Sequence, residues 1–512
     1  MPFVRVLASL LAANLTSLIV LNALRLPVAA LVAVFPLGWV AWWWFLGNAS
    51  VRDAPFRAPR AAMIWAGAAL ILLTAPRLPY LLEWLPGAAV LAQADDYGRL
   101  AELVSMTLGG RYPLPHPSNQ EYLLSHYYAA LFPMAWSKLA IPVLTLKDSI
   151  FLGNLLYHVL FLGSLLEIAP RLTRRPGAAA IFVFLMTLFG GFDILASHFI
   201  PFEHTEHWSR QWLGRVREFS SFYTANYWTV HHMAGLWCVV LAGVYWREAR
   251  FPSAWRKPLL AGWLLVSAVA CSAFVVLSLP LLAWRELWTL LRRLIRTVTI
   301  VPVSAAALVP LWIYSNRVES GSFQWVPVNL ALPLYLLAIF VIDFAGLPLL
   351  LAIRWKRLDP AERRWFAGSL LFFASTWGLE SIGYNNYAMR GGLLPGLVVM
   401  LLAARHITFS RLALAAAVLA TLTTVRESAT MAYSALEYSN WYWHVREKPI
   451  PSHVVPRLNA SYPQLARDPS IRYYEPSSAD RFGLEKFNAE KLVRGLPFDE
   501  MHTAERELLR RR

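Results

Sequence analysis

The chain is short of charge, of acid in particular, and of cysteine. Charged residues fill only 15% of its 512 positions, and 31 Asp and Glu stand against 47 Lys and Arg. The two cysteines, Cys238 and Cys271, both sit inside apolar runs. That excludes a disulfide framework and a cysteine-based metal site. No segment recurs with a fixed period and no tract is of low complexity, which argues against repeat architectures and against transporters built from two related halves.

Apolar side chains take the place of charge. They make up 57% of the residues, above the roughly 45–50% of a soluble domain, and mean hydropathy is +0.45. The composition predicts an all-α polytopic membrane protein. Its 23 Trp, 20 Tyr and 27 Phe suit aromatic belts at the two membrane surfaces. The net charge of +16 does not imply nucleic acid, because the Lys and Arg fall in short clusters between apolar runs, where they set topology.

A span needs roughly 20 apolar residues, and about thirteen candidates begin near Val4, Pro27, Ala61, Asp148, Gly177, Val230, Pro258, Ala273, Val298, Asn329, Phe366, Gly391 and Arg411. The first has no small-residue cleavage pattern and reads as an uncleaved anchor. Basic clusters at Arg52–Arg60, Arg171–Arg175, Arg247–Lys257, Arg292–Arg296 and Arg354–Arg364 would all be cytoplasmic under the positive-inside rule. They alternate correctly only if the stretch from about Tyr122 to Leu146 does not cross. With His126, Pro133, Lys138 and Pro142, it reads as a helix in the outer interface.

The resulting expectation is a transmembrane domain over residues 1–425 with a cytoplasmic N-terminus. Large outer loops cover 78–147 and 199–229, and an extracytoplasmic tail or small domain covers 426–512.

The first outer loop carries Gln93-Ala94-Asp95-Asp96-Tyr97-Gly98-Arg99. Helical character from Tyr97 to Leu108 stops at Gly109-Gly110, and the following Tyr112-Pro113-Leu114-Pro115-His116-Pro117 cannot continue it. One Asp therefore suits an N-cap. A cap needs one carboxylate, and there are two. The other use is catalytic: removing a proton from an acceptor hydroxyl, or helping to hold a divalent cation against a phosphate leaving group.

This acidic motif, the short helix, Gly, Tyr-Pro and second helix resemble the GT-C superfamily of membrane glycosyltransferases. The resemblance continues through Lys147-Asp148-Ser149-Ile150-Phe151-Leu152-Gly153-Asn154. It extends to Leu259–Trp284, which is similar to a pair of short, tightly turned helices followed by a basic loop, and to a span ending at Tyr314-Ser315-Asn316. It implies a GT-C-like fold, a bacterial cytoplasmic-membrane location, a polyprenyl-phosphate-linked sugar as donor and Asp95 or Asp96 as the catalytic residue. The acceptor would be a cell-envelope glycan, lipid or protein.

Two later segments resemble a group of uncharacterised bacterial GT-C-like membrane proteins. The first runs from Gly190-Gly191-Phe192-Asp193 through Glu203-His204-Thr205-Glu206-His207-Trp208 and Ser220-Ser221 to Trp228-Thr229-Val230-His231-His232. The chain departs from the group at His231, where Pro or Asn precedes a single His or Gln. The second is Asn385-Asn386-Tyr387-Ala388-Met389-Arg390, where the group has Asn-Asp-x-x-x-Arg.

An Arg here can grip a lipid phosphate bidentately and the Asn side chains can hydrogen-bond a sugar. Arg390, Asn385, Asn386, His232, Trp228 and Tyr97 are thus the donor-binding candidates. Glu203, Glu206 and His207 are candidate ligands for Mg, Mn or Zn, although their spacing is not diagnostic. The bland alternatives are wet loop residues and an Arg snorkelling to the interface.

Two other functions fit the sequence. A glycan polymerase or ligase would move an oligosaccharide from a polyprenyl diphosphate and lean on Arg210, Arg215, Arg217 and His232. A lipid or sugar transporter would make no covalent product.

Overall fold

A computed structural model describes residues 1–51, 57–77, 128–144, 146–192, 221–315, 323–325, 332–381, 386–407 and 416–429, with parts of 102–124 and residue 219. These residues are mostly helical. The candidate residues Asp95, Asp96, Tyr97, Asp193, Glu203, Glu206, His207 and Asn385 lie outside them. So do most of both outer loops and the tail after 429.

The helices are α1 Pro2–Ala23, α2 Leu31–Gly47, α3 Arg60–Thr74, α4 Phe132–Ala140, α5 Leu146–Thr173, α6 Pro176–Thr187, α7 Phe222–Trp228 and α8 Val230–Glu248. They continue with α9 Arg256–Leu277, α10 Leu279–Arg296, α11 Ile300–Ser315, α12 Leu332–Val341, α13 Leu347–Ile353, α14 Pro360–Gly378, α15 Asn386–Gly391 and α16 Leu393–His406. Among the described residues, a further helix, α17, covers 416–429. Helices begin within a few residues of most of the predicted starts, but those near Ala273 and Phe366 fall inside α9 and α14, and the one near Arg411 lies outside the described residues.

Among the described residues, five segments are long and apolar enough to cross a membrane: Pro2–Ala23, Val28–Gly47, Asp148–Thr173, Arg256–Leu277 and Tyr387–His406. A bent pair, α10 with α11, makes a sixth if it counts as one span. The other helices are short, as with the 12 residues of α6, or carry charge, as α14 does with Glu362, Arg363 and Arg364. The protein is therefore a mostly helical chain with several membrane-spanning candidates.

Helix α1 is the centre, packed against α2, α5, α9 and α11. Its small side chains Ala8, Ser9, Ala12, Ala13 and Ser17 are fully buried, as expected where helices approach closely without an aqueous hydrophobic drive. Asn14 Nδ2 donates to the Tyr157 hydroxyl of α5 at 2.9 Å, and that hydroxyl donates to Ala130 O at 2.8 Å. The described part of the predicted interfacial helix over 122–146 is a 3-10 turn, Tyr128–Leu131, followed by the nine residues of α4. Its Tyr128, Phe132 and Met134 are buried. The first turn of α4 packs into the bundle, and its second half, 136–140, is half-buried.

One end of the bundle gathers the basic clusters. Glu167 accepts from the Phe3 and Val4 N–H groups at 3.2 and 2.9 Å, satisfying orphan donors at the start of α1. Arg171 meets Glu248 at 2.8 Å. Glu362 takes Arg405 at 2.6 Å and His406 at 2.8 Å. Two strand residues, Ser50–Val51 (β1), pair antiparallel with Ala249–Arg250 (β2). At the opposite end Tyr112 N donates to Leu26 O and Val28 N to Gly110 O, both at 2.9 Å, and Phe323–Trp325 (β3) pairs with Leu379–Ser381 (β4).

Candidate functional site

Two helix breaks face each other toward this opposite end. Helices α7 and α8 meet at Thr229 (φ −138°, ψ 62°), which closes one and opens the other. Ser221 starts α7 by accepting the Thr224 N–H at 3.0 Å, an ordinary serine N-cap.

A helix that ends so soon leaves its last carbonyls without intrahelical donors. Side chains from two other elements take them. His158 of α5 lies with Nε2 3.0 Å from Asn226 O, and Arg77, just after α3, places Nη2 2.8 Å from Tyr227 O. A carbonyl only accepts, so Nε2 carries the His158 proton. The Arg77 guanidinium also lies over the Tyr227 ring at 4.6 Å, and a cation at a helix C-terminus is favoured by its dipole.

The second break is in α9 at Ser272, whose backbone is extended (φ −168°, ψ 98°). His232, in the first turn of α8, sets Nδ1 2.6 Å from Ser272 Oγ. Both side chains are buried. The adjacent His231 ring lies 4.0 Å from that of His232, centroid to centroid. Gly235 makes this approach possible, because a Cβ there would come 2.9 Å from Ser272 Cβ.

From the other side α15 packs on α9. A Cβ at Gly391 would stand 3.3 Å from Phe274 O, two residues past the break. Arg390, the preceding residue, is buried.

His232 and Arg390, distant in sequence, are thus carried by helices that both pack on the Ser272–Phe274 segment. The backbones of Trp228 and Asn386 belong to α7 and α15, and their side chains lie outside the described residues. Among the described residues no cluster of three or more His, Cys, Asp or Glu could hold a metal ion, and Glu203, Glu206 and His207 lie outside that set.

A third polar group fixes α7. Thr224 donates to Glu427 of α17 at 2.6 Å, while the Tyr223 hydroxyl and Ser428 Oγ both donate to Leu72 O, at 2.9 and 3.2 Å. Burial pushes the Tyr223 phenol well above its ordinary pKa, so it keeps the proton that it donates to Leu72 O. Close by, a cavity of ≈ 20 Å³ is lined by Gly190, Ser221, Asp343 and Gly392, room for about one water molecule. Gly191 (φ +79°) lets its strand of chain lie on the 342–343 backbone, where a Cβ would come 2.6 Å from Ile342 O.

The sequence alone does not single out Arg77, His158, Ser272 or Asp343. Three of them had a signal, an ionisable residue within or bordering an apolar run, which is costly unless partnered or functional. Ser272 had none. Compared with protein families, curated proteins and solved structures, the chain matches none.

Chemically, the arrangement offers a buried arginine and a buried histidine on helices that pack against a break in a candidate membrane-spanning helix. A guanidinium suits phosphate, and an imidazole can give or accept a proton. Non-helical backbone at such depth is found where it is enclosed by protein or lines a polar cavity.

Proposed function

We propose that the protein is a glycosyltransferase that moves a sugar from a polyprenyl-phosphate carrier to a cell-envelope acceptor on the outer face of a bacterial cytoplasmic membrane. One observation carries the reading: His232 and Arg390, which lie in the two segments resembling GT-C-like membrane proteins, belong to helices that meet on one break in α9. The gathering of basic clusters at the other end supports a cytoplasmic N-terminus. The order of motifs from Asp95-Asp96 to Arg390 supplies the GT-C resemblance.

In this reading Asp95 or Asp96 takes the proton from an acceptor hydroxyl, whose oxygen forms the new bond to the anomeric carbon. The bond from that carbon to the carrier oxygen breaks with its electron pair. Arg390 stabilises the departing phosphate, an interaction that strengthens as charge develops.

The test uses purified full-length protein, labelled polyprenyl-phosphate sugars and envelope extract. Wild type transfers label, Asp96→Asn or Asp95→Asn abolishes transfer, and Arg390→Ala weakens it. Equal transfer by both Asp variants and wild type removes the pair from the mechanism.

The two facing breaks favour transport of a lipid or sugar as a second reading, since discontinuous helices build midplane sites in transporters. Movement across proteoliposomes without a covalent product would decide for it. A polymerase or ligase would instead depend on Arg210, Arg215 and Arg217 more than on the Asp pair.

A further inference from the structure

Helix α10 has three faces, and only two are accounted for by the fold. Its backbone breaks at Ala283 (φ −134°, ψ 32°), which separates residues 279–282 from an amphipathic stretch over 284–296. Leu290 and Leu294 of that stretch are buried in the bundle. Arg285, Arg292, Arg293 and Arg296 form an exposed basic side.

Between them runs an exposed apolar stripe of Trp284 (55%), Trp288 (50%), Leu291 (37%) and Ile295 (56%). Their spacing of four, three and four residues keeps them on one line of a helix.

Four arginines and one Glu within thirteen residues do not belong in hydrocarbon. The chain resolves this by direction. Helix α11 departs from α10 at 116° and is apolar, with Val301, Leu308 and Leu311 exposed. A spanning α11 therefore leaves α10 lying across it.

The position of α10 is at the basic end. Arg247 reaches Glu286 at 3.6 Å, and Arg293 and Lys257 both lie over the Trp246 ring, at 5.6 and 5.7 Å. Along the stripe, Arg285 sits 5.2 Å from Trp284 and Arg292 5.0 Å from Trp288. This Trp–Arg alternation, apolar body inward and cation outward, is the chemistry of a membrane–water boundary.

We propose that residues 284–296 form a membrane-surface helix that binds anionic phospholipid headgroups through Arg285, Arg292 and Arg296, with Trp284, Trp288, Leu291 and Ile295 set into the acyl boundary. The choice of a lipid surface over a second protein follows from continuity. The stripe leads into the exposed apolar side chains of α11, and the charge beside it is of one sign. The inference rests only on membrane association, and not on the proposed chemistry.

The test uses the full-length protein in detergent, titrated with phosphatidylglycerol or phosphatidylcholine and read by native mass spectrometry. Each arginine at an anionic surface contributes about a fivefold factor in affinity, so R285Q/R292Q/R296Q is expected to bind phosphatidylglycerol roughly a hundredfold more weakly. Phosphatidylcholine binding stays unchanged.

Because all three side chains are exposed, the thermal midpoint also stays unchanged. A second measurement does not depend on those substitutions. Leu291→Cys, labelled with a fluorophore in vesicles containing phosphatidylglycerol, is quenched by nitroxides on the lipid chains and protected from aqueous iodide; Cys238 and Cys271 are buried and take no label.

Equal phosphatidylglycerol binding by variant and wild type overturns the proposal. So does quenching by iodide, or protection from both quenchers, which would mean that protein covers the stripe.

Discussion

Substitutions at His232 and Ser272 test whether the two helix breaks are locked together. The groups are 2.6 Å apart, with exposures of 5% and 0%, so neither can recruit bulk water when the other is removed. Leaving one buried partner unsatisfied costs about 1–3 kcal/mol. Interhelical hydrogen bonds inside membranes couple more weakly, averaging about 0.6 and reaching about 1.7 kcal/mol. A short, fully enclosed contact belongs at the upper end, near 1.5 kcal/mol.

The measurement is a double-mutant cycle of wild type, His232→Ala, Ser272→Ala and the pair, each unfolded by SDS titration from mixed micelles. The cavity left by the imidazole appears in both arms that lack it and cancels. Each single variant is expected to be less stable than wild type, and the pair less destabilised than the sum by about 1.5 kcal/mol. Additivity within about 0.3–0.5 kcal/mol would refute the contact as a lock, because independent sites add to that tolerance.

Other consequences are simpler to measure. Gly235→Leu should destabilise the fold by about 1–3 kcal/mol or more through overpacking, read in the same titration, because even a Cβ there lies 2.9 Å from Ser272 Cβ. Arg77→Ala should release the end of α7, seen as faster amide exchange at residues 222–228, whereas Arg60→Ala, at an exposed position, should leave exchange unchanged.

Asp359 caps α14 by accepting from Ala361 and Glu362, both at 2.8 Å, so Asp359→Ala should cost about 1 kcal/mol. The Glu362 N–H, and then that of Ala361, hold its carboxyl below the usual value. Its contribution is therefore complete above the unfolded pKa of about 3.9 and is lost as pH falls through the lowered folded value. A pH series of wild type against Asp359→Ala checks this, with the two curves converging in acid.

The sequence made the helices legible and the partnerships less so. Apolar runs located segments such as α1, α5 and α9, because burial or lipid contact demands the same side chains in either setting. Even the predicted start near Ala273 fell next to the Ser272 break, since Leu259–Trp284 is too long for one span. Counting spans was harder: the length of α8 suits a crossing, but His231, His232, Arg247 and Glu248 interrupt its apolar run.

At the site, Arg390 and His232 stood out as polar groups at span edges. Ser272 did not, for a serine inside an apolar run carries no mark of a helix break as proline or glycine would. His158 lies mid-way along the 28 residues of α5, between apolar neighbours on both sides. Its contact with the Asn226 carbonyl, 3.0 Å away, is a reason for its presence that the sequence does not show.

The grip of Glu167 on the start of α1 bears on assembly. Its acceptors lie 164 positions after Phe3 in the chain, and the Tyr157 hydroxyl that receives Asn14 is 143 positions from it. During synthesis α1 therefore enters the bilayer well before the residues that satisfy its polar side and its first N–H groups. Until α5 is made, Ser9, Asn14 and Ser17 face lipid or α2. The innermost helix is then made long before its partners, and a strong apolar substitute for Asn14 would ease that wait while removing the cue that draws α5 into place.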